Sequence, residues 1–265
     1  MYPTKYHKAA SIDDAVAALT SGESTKILAG GQTLLATMKQ HLAAPSDLVD
    51  VRKINGLSGV SVKGNTLAIG AATTHADVAG NADVRRLCPA LASLAGGIGD
   101  PAVRHMGTIG GSIANNDPAA DYPAGLLALG ASIVTNKRQI AADDFFTGLF
   151  TTALEEDEII TAVHVTAPAR AAYAKFRQPA SLFALVGVCV AQGAGGTRVA
   201  VTGAGDDGVF RHAGLEAALS ANWSTDAMNA VAVQSEDLMS DLHASAEYRA
   251  NLIKVLAKRA VAAAS

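Results

Sequence analysis

Two glycine-rich segments in distant parts of the chain have the residue types that bind phosphate groups. The first is Ala29-Gly30-Gly31-Gln32-Thr33, and the second is Gly107-Thr108-Ile109-Gly110-Gly111-Ser112. Each combines paired glycines with small hydroxyl or amide side chains, which leaves backbone N–H groups unobstructed by Cβ atoms. A pyrophosphate requires converging N–H groups and close approach of the backbone. Together the segments predict a dinucleotide that is bound from two sides.

Apolar segments must hold these two glycine segments in place. Residues 26–29 read as a short buried strand and residues 33–42 as a helix, which places the first segment at a strand-to-helix junction. Free N–H groups and the helix dipole favour an anion there. The second segment continues into Asp117 and Asp121, ahead of a helix predicted around residues 123–129. Both aspartates are site candidates, or equally helix-start residues, since aspartate is a favoured N-cap.

The rest of the pattern predicts an α+β architecture that changes near residues 167–170. Upstream, we predict a helix from Ser11, a hairpin over residues 59–69 and a strand over residues 159–165. Strands followed by helices, as expected downstream, are typical of a separate α+β unit. The downstream strands are predicted at 172–176, 184–192 and 198–202, and the helices at 213–219, 223–242 and 246–264.

A third glycine segment, Gly203-Ala204-Gly205-Asp206-Asp207-Gly208, fits the dinucleotide-binding pattern G-x-G-x-x-G. Its context argues against that function, because two carboxylates would face the pyrophosphate and no βαβ unit follows. Phe210-Arg211-His212 also separates the last glycine from the next helix. We interpret the segment as a turn that leaves an antiparallel strand.

Composition excludes several classes of function. The net charge is −3 and no Lys/Arg-rich run occurs, so we expect no nucleic-acid partner. No apolar run is long enough to span a membrane, and the N-terminus lacks an apolar signal core, so we predict a cytoplasmic protein. Cys88 and Cys189 form no CxxC motif, and no HExxH pattern occurs, so we expect no metal site in this chain.

The chain resembles the FAD-binding medium subunit of the molybdenum hydroxylases, the family that includes carbon monoxide dehydrogenase and xanthine dehydrogenase. The resemblance depends on Thr108-Ile109-Gly110-Gly111-Ser112 together with Ala29-Gly30-Gly31-Gln32-Thr33. Val49-Asp50-Val51, Ile69-Gly70-Ala71 and Arg104-His105-Met106-Gly107 occur in the order typical of the family. The similarity therefore covers nearly the whole chain.

This resemblance implies an α+β fold in two domains. Residues 1–168 would form an FAD-binding domain of the p-cresol methylhydroxylase (PCMH) type, made of two α/β subdomains at about 1–56 and 57–168. Residues 169–265 would form a C-terminal α+β domain with a three-stranded sheet and helices. We expect FAD to bind non-covalently, because no histidine-linked flavin motif surrounds His75.

The family's cofactor contacts imply a set of binding residues, with no catalytic residue and no metal ligand. Asp121 matches an acid that helps to hold the cofactor, and Lys175 matches a lysine near the flavin ring. Ile160 matches an apolar residue beside the isoalloxazine or the adenine. The full predicted set is Ile27, Leu28, Ala29, Gly30, Gly31, Gln32, Thr33, Leu34, Thr108, Ile109, Gly110, Gly111, Ser112, Asp117, Asp121, Ile160 and Lys175.

Two positions depart from the family pattern. Where relatives often have an acid soon after the lysine, this chain has Ser181 or Leu182, and Ser112 replaces an Asn of several relatives. Apart from the resemblance, Lys175 can equally be a surface residue of an edge strand, since strand side chains alternate in direction. We expect His75 and His105 to be structural histidines with satisfied hydrogen bonds.

The function implied is electron transfer within a larger assembly. A large partner subunit would carry molybdopterin and hydroxylate the substrate, and a small one would carry two 2Fe-2S clusters. The FAD of this chain would pass the electrons to an acceptor such as NAD, oxygen or a quinone, in an (αβγ)2 dimer of heterotrimers. Two alternatives stay open: a stand-alone flavin oxidase or reductase of the same fold, and a nucleotide-binding module without a redox role.

Overall fold

The computed structural model describes residues 1–264, and Ser265, the last residue of the predicted C-terminal domain, lies outside the described residues. The strands are β1 (Lys5–Lys8), β2 (Thr25–Leu28), β3 (Asp47–Asp50), β4 (Val60–Lys63), β5 (Thr66–Gly70), β6 (Ser132–Thr135), β7 (Gln139–Ala141), β8 (Phe146–Gly148), β9 (Thr151–Thr152), β10 (Ile160–Thr166), β11 (Arg170–Arg177), β12 (Ala184–Gly193), β13 (Gly196–Gly205) and β14 (Gly208–Arg211). The helices are α1 (Ile12–Ser21), α2 (Leu34–Lys39), α3 (His75–Gly80), α4 (Ala82–Leu87), α5 (Pro89–Gly96), α6 (Pro101–Met106), α7 (Ile109–Asn115), α8 (Asp121–Leu129), α9 (Ala142–Phe145), α10 (Ala213–Ala221) and α11 (Ala246–Ala263).

The first sheet is small and parallel, with β3 between β1 and β2. Helix α1 starts where predicted, because the Ser11 hydroxyl accepts a 3.1 Å hydrogen bond from the Asp14 N–H. Strand β2 ends at Leu28, so the first glycine segment follows it directly. Helix α2 ends at Lys39, earlier than predicted, because His41 adopts a left-handed backbone with φ 61°.

The second sheet is antiparallel, in the order β4-β5-β10-β6-β7. Its β4–β5 hairpin confirms the one predicted over residues 59–69. Strand β10 lies at the centre and pairs with both β5 and β6, which places Ile160 at the start of the central strand. Helices α3 to α8 connect β5 to β6, and the second glycine segment is among them.

The third sheet, β11-β12-β13-β14, has four strands rather than the predicted three. The additional strand β14 pairs with β13 through a tight turn at Asp206-Asp207. That turn lies inside the third glycine segment, which confirms its interpretation as a turn after an antiparallel strand. Gly208 has φ 102°, a backbone conformation that side chains disfavour.

The helix predicted over residues 223–242 is wrong. Apart from a 3-10 helix at Asp226–Met228, this segment is irregular and lies along the end of β13. The Met239 N–H donates to the Ala204 carbonyl at 2.9 Å. The Ser224 hydroxyl accepts the Ala227 N–H at 3.2 Å. Short polar side chains of this kind compete with the backbone hydrogen bonds of a helix.

Helix α8 connects the two parts of the chain. Every residue from Asp121 to Ala128 is buried, and the helix packs against β12 and β13. The core beneath it combines residues of the second sheet with Cys189 and Ala191 of β12. A second core lies between the opposite face of the third sheet and helices α10 and α11. The division into domains at residue 168 therefore stays a prediction, since one core extends across it.

Among residues 1–264, no helix combines the length and the apolar character that crossing a bilayer requires.

Candidate cofactor site

A cavity of about 580 Å³ lies where the two glycine segments meet. Small-molecule sites usually have about 300–1,000 Å³, so the volume is adequate for a cofactor. Its walls come from the loop after β2, from helices α6 and α7, and from the loop between β11 and β12. The cavity therefore joins segments from all three sheets.

Most of the residues that the sequence predicted as cofactor contacts line this cavity. Two do not: Ile109 is fully buried in the core, and Lys175 faces Asp121 instead of the cavity. The cavity wall includes Ile27, Leu28, Ala29, Gly30, Gly31, Gln32, Thr33, Leu34, Thr108, Gly110, Gly111, Ser112, Asp117, Asp121 and Ile160.

The two glycine segments are in direct contact. A Cβ atom built on Gly30 would lie 2.6 Å from Cα of Gly107, a distance that real Cβ atoms do not adopt. A Cβ atom on Gly111 would lie 3.5 Å from Cβ of Ala29. Gly30 is thus required by the approach of the second segment, and a larger residue there would separate the two walls.

The first segment presents free backbone amides. Within residues 1–264, the N–H groups from Gly30 to Leu34 make no hydrogen bond. Gly31 has φ 71°, which turns the chain between β2 and α2. Consecutive free N–H groups beside a cavity are suited to phosphate oxygens, because they donate without requiring a positively charged side chain.

The second segment only partly matches the prediction of backbone donors on both sides. It forms the start of α7, its amides from Ile109 to Ser112 are occupied, and within residues 1–264 the Thr108 N–H makes no hydrogen bond. The N–H groups of Ile109 and Gly110 donate to carbonyls of the loop after β5, at 3.1 and 2.8 Å. Those of Gly111 and Ser112 donate to the hydroxyl and the carbonyl of Thr108. This segment therefore presents hydroxyl groups, glycine surfaces and one free amide, that of Thr108, to the cavity.

Gly110 has a packing function that the motif alone does not reveal. A Cβ atom at this position would lie 2.6 Å from Cβ of Ala71. The glycine therefore allows α7 to approach the end of β5 closely. Only Gly111 of the pair keeps space toward the first segment.

Asp121 is held by two groups of β11. Lys175 Nζ donates to its Oδ2 at 2.9 Å, and the Tyr173 hydroxyl donates to its Oδ1 at 2.5 Å. Burial raises the pKa of Asp121 and lowers the pKa of Lys175, while the attraction between the two charges opposes both shifts. Asp117, also in the cavity wall, accepts the Ala119 N–H at 2.8 Å, and burial raises its pKa.

An aromatic side chain at the cavity was missed by the sequence analysis. Phe150 is 58% exposed, lines the cavity and has φ 53°. Buried Asn116 holds this hairpin, because its Nδ2 donates to the carbonyls of Gly148 and Thr151 at 2.9 and 2.7 Å. Its own carbonyl accepts the Phe150 N–H at 3.1 Å. No sequence signal marks Asn116 as the support of Phe150.

The loop between β11 and β12 forms another part of the wall. Ser181, Leu182 and Phe183 line the cavity, in the segment that departs from the expected family pattern. Leu182 has φ 62°, and the Gln178 side chain contacts His243 Nδ1 at 3.0 Å, which anchors the loop. This part of the wall therefore presents hydroxyl and apolar groups to the cavity.

The two histidines near the second segment differ from each other. His105 agrees with the structural interpretation, since its Nδ1 is 2.7 Å from the Pro101 carbonyl. His75 contradicts it: within residues 1–264 neither ring nitrogen makes a hydrogen bond, and Nδ1 is buried. Burial and the charge of Arg104 lower the pKa of His75 to about 4, so its imidazole is neutral at pH 7.

These features fit a dinucleotide. Glycines without space for a Cβ, a run of free amides and an unpaired buried imidazole line one cavity of adequate volume. Among the described residues, no group of three or more His, Cys, Asp or Glu is arranged to hold a metal ion.

Comparison with known proteins identifies the family. A family model described as "FAD binding domain in molybdopterin dehydrogenase" matches residues 2–168. The chain is 34% identical to a carbon monoxide dehydrogenase medium chain from Hydrogenophaga pseudoflava, over 98% of this chain and 96% of that protein. It is 33% identical to a nicotine 6-hydroxylase medium subunit from Paenarthrobacter nicotinovorans, over 97% and 95%.

Solved structures agree with the sequence comparison. One is a carbon monoxide dehydrogenase from Hydrogenophaga pseudoflava that lacks the Mo-pyranopterin moiety of its molybdenum cofactor. Its chain superposes with a TM-score of 0.90 at 35% identity, over 99% of this chain and 98% of that chain. The α+β fold expected from the sequence is confirmed. The chain belongs to the family of FAD-binding domains in molybdopterin dehydrogenases and is the flavoprotein subunit of an oxidoreductase.

Proposed function

We propose that this chain transfers electrons within a multisubunit molybdenum hydroxylase. It accepts electrons from the 2Fe-2S clusters of a small partner subunit and delivers them to an external acceptor such as NAD, oxygen or a quinone. A large partner subunit carries molybdopterin and acts on the substrate, in an (αβγ)2 assembly located in the cytoplasm. Bound FAD supplies the redox chemistry, and this chain supplies its binding site and electrostatics.

The observation that carries the proposal is the contact between the two glycine segments at the free amides of residues 30–34. These amides would hold the diphosphate, while Thr108, Gly111 and Ser112 would border it from the second segment. Asp117 and Asp121 extend the same wall toward Ile160. Residues of the first and second sheets and of the loop from the third sheet would therefore hold the cofactor.

The cavity wall also favours an electron carrier over a stand-alone oxidase. An oxidase needs a free base beside the flavin to activate an organic substrate. Here Glu158 is held by Arg138 with its pKa lowered to about 2, and Asp121 is held by Lys175. Asp117 accepts a backbone N–H, and His75 is buried. The carboxylates of the cavity wall are thus engaged in hydrogen bonds or ion pairs.

A co-purification experiment tests the proposal. The tagged chain is isolated from its native host, and the preparation is analysed for FAD, molybdenum and iron. We expect two additional chains in equal amounts, one with molybdenum and one with iron. The complex is then reduced chemically, mixed separately with NAD, oxygen and a quinone, and followed by flavin absorption. One acceptor is expected to reoxidise the flavin rapidly.

The variant Gly111→Val provides the matched comparison. A branched side chain at this position fills space between Thr108 and Ala29, so FAD is expected to be absent while the complex keeps its metals. Reduction of the physiological acceptor is then lost, whereas an artificial dye is still reduced through the partner subunits. A chain that purifies alone and oxidises an alcohol without partners contradicts the proposal.

A further inference from the structure

His75 is a buried polar side chain without a partner in the wall of the cofactor cavity. It is the first residue of α3, only 4% exposed, and the Thr74 hydroxyl caps the helix by accepting the Asp77 N–H at 3.1 Å. Buried polar atoms nearly always have a hydrogen-bond partner, and an orphaned one requires an explanation. Here Nδ1 is buried without a partner, and the ring lines the cavity.

The groups around His75 leave it uncharged. Arg104 of α6 repels a proton on the ring, and its guanidinium donates to the carbonyls of Ile98 and Gly99 at 2.9 and 2.8 Å. Tyr122 of α8 lies 5.4 Å away between ring centroids, and its buried hydroxyl also lacks a partner.

Exposed charged groups near α3 are engaged elsewhere. Asp77, on the helix itself, accepts from Thr74, and Arg85 of α4 donates to the Ala79 carbonyl at 2.8 Å. A carboxylate that could stabilise an imidazolium is therefore not in contact with the His75 ring within residues 1–264.

His75 lies directly behind the contact between the glycine segments. A Cβ atom on Gly107 would lie 2.6 Å from His75 Nε2, and a Cβ atom on Gly30 would lie 2.6 Å from Gly107 Cα. The imidazole thus adjoins Gly107, which adjoins the free amides of the first segment. An anion bound at those amides would lie in the cavity that the ring also lines.

We propose that His75 binds the diphosphate of FAD through Nε2, and that FAD binding draws one proton from solvent onto the ring, so that Nε2 donates a hydrogen bond to a diphosphate oxygen. This inference rests on the placement of the diphosphate proposed above. The proton passes from the buffer to the ring, and no covalent bond to the cofactor forms. A diphosphate carries negative charge, and a nearby negative charge favours the protonated imidazole.

The proposed protonation makes the affinity for FAD depend on pH. In the cofactor-free protein burial lowers the pKa of His75 to about 4, and the bound diphosphate raises it. The protein with FAD therefore binds more protons than the free protein between these two pKa values. The affinity for FAD rises as pH falls through that interval, by at most about tenfold per pH unit for one proton.

The experiment uses the full chain freed of FAD. The dissociation constant for FAD is measured by flavin fluorescence between about pH 5 and pH 8, the range over which histidine normally titrates. We expect tighter binding at lower pH in the wild-type chain. His75→Gln is expected to bind about tenfold more weakly at the acid end and to lose the additional slope. His105→Gln is the matched control, since His105 is exposed and its Nδ1 is hydrogen-bonded to the Pro101 carbonyl. This variant should bind FAD as the wild-type chain does.

Calorimetry of the wild-type chain keeps the test independent of variant folding. FAD binding measured in two buffers of different ionisation enthalpy reports the protons taken up. Close to one proton near the acid end supports the proposal, and no uptake overturns it. A His75→Gln chain with wild-type affinity and slope also overturns it, even if its Tm is lowered.

These outcomes are distinct from failure of the proposed function. If the wild-type complex binds FAD and reduces its acceptor while His75→Gln behaves identically, only the role of His75 is excluded. If the wild-type chain binds no FAD at all, the electron-transfer proposal fails as well.

Discussion

Lys175 Nζ lies 2.9 Å from Asp121 Oδ2, and neither side chain is more than 5% exposed. The pair joins the first turn of α8 to β11, and therefore joins the wall of the cofactor cavity to the third sheet. The Tyr173 hydroxyl donates to the second oxygen of the same carboxylate. Lys175 thus acts on the cofactor site through Asp121 rather than by lining the cavity.

Asp121→Asn is expected to destabilise the chain by about 3 kcal/mol, because it leaves the Lys175 ammonium buried without a countercharge. Lys175→Met should have a similar effect by isolating the carboxylate. The double variant is expected to be more stable than either single variant, since no charge is then left unpaired. Urea denaturation of the four chains measures this, and additive losses in the double variant would contradict the buried pair.

The sequence predicts the parts of this site that depend on local geometry. The strand-to-helix junction at residues 30–34, the β4–β5 hairpin and the start of α1 follow from glycine, turn and capping residues that act over a few positions. The glycine motifs likewise identify the cavity, because close backbone approach needs particular residue types at fixed positions.

Sequence reasoning fails where a partner is distant in the chain. Asn116 contacts the Phe150 segment only through the hairpin β8–β9, and Lys175 of β11 contacts Asp121 of α8, 54 residues earlier in the chain. Free amides throughout the second segment are a wrong expectation, because carbonyls after β5 and groups of Thr108 occupy those from Ile109 to Ser112. His75 was interpreted as satisfied, since a single sequence does not reveal that its ring nitrogens lack partners.

Gly30→Ala is expected to lower FAD occupancy strongly and stability by about 1–3 kcal/mol. The new methyl group would collide with the backbone at Met106 and Gly107, which cannot move as a flexible side chain does. Gly80→Ala is the control, because no atom lies within 4 Å of its Cβ position. The ratio of FAD to protein and the circular dichroism spectrum are measured together. Full occupancy in Gly30→Ala would contradict the close contact of the two segments.

Asn116→Gly is expected to destabilise the chain by about 2 kcal/mol, since two carbonyls of the Phe150 hairpin lose their donors. Glycine keeps the left-handed backbone of φ 42° at no steric cost. Asn116→Ala should lose about 1–2 kcal/mol more, because alanine is strained there. Thermal unfolding and limited proteolysis of the hairpin measure both effects. Equal stability of the Gly and Ala variants would show that the left-handed backbone at position 116 does not strain alanine.

The buried, neutral state of His75 makes the stability of the FAD-free chain depend on pH. Its pKa is lowered to about 4 in the folded chain, whereas an unfolded histidine has a pKa near 6.5. Between these values the unfolded chain binds more protons, so stability is fully present above about pH 6.5 and is lost as pH falls toward 4. The contribution amounts to about 3 kcal/mol at the acid end.

Carboxylates also titrate at the lower end of this range, so the informative quantity is the difference in unfolding free energy between variants. His75→Gln should flatten the dependence between pH 6.5 and 4 relative to His105→Gln, as measured by urea unfolding at several pH values. Parallel curves for the two variants would show that His75 titrates normally in the folded chain.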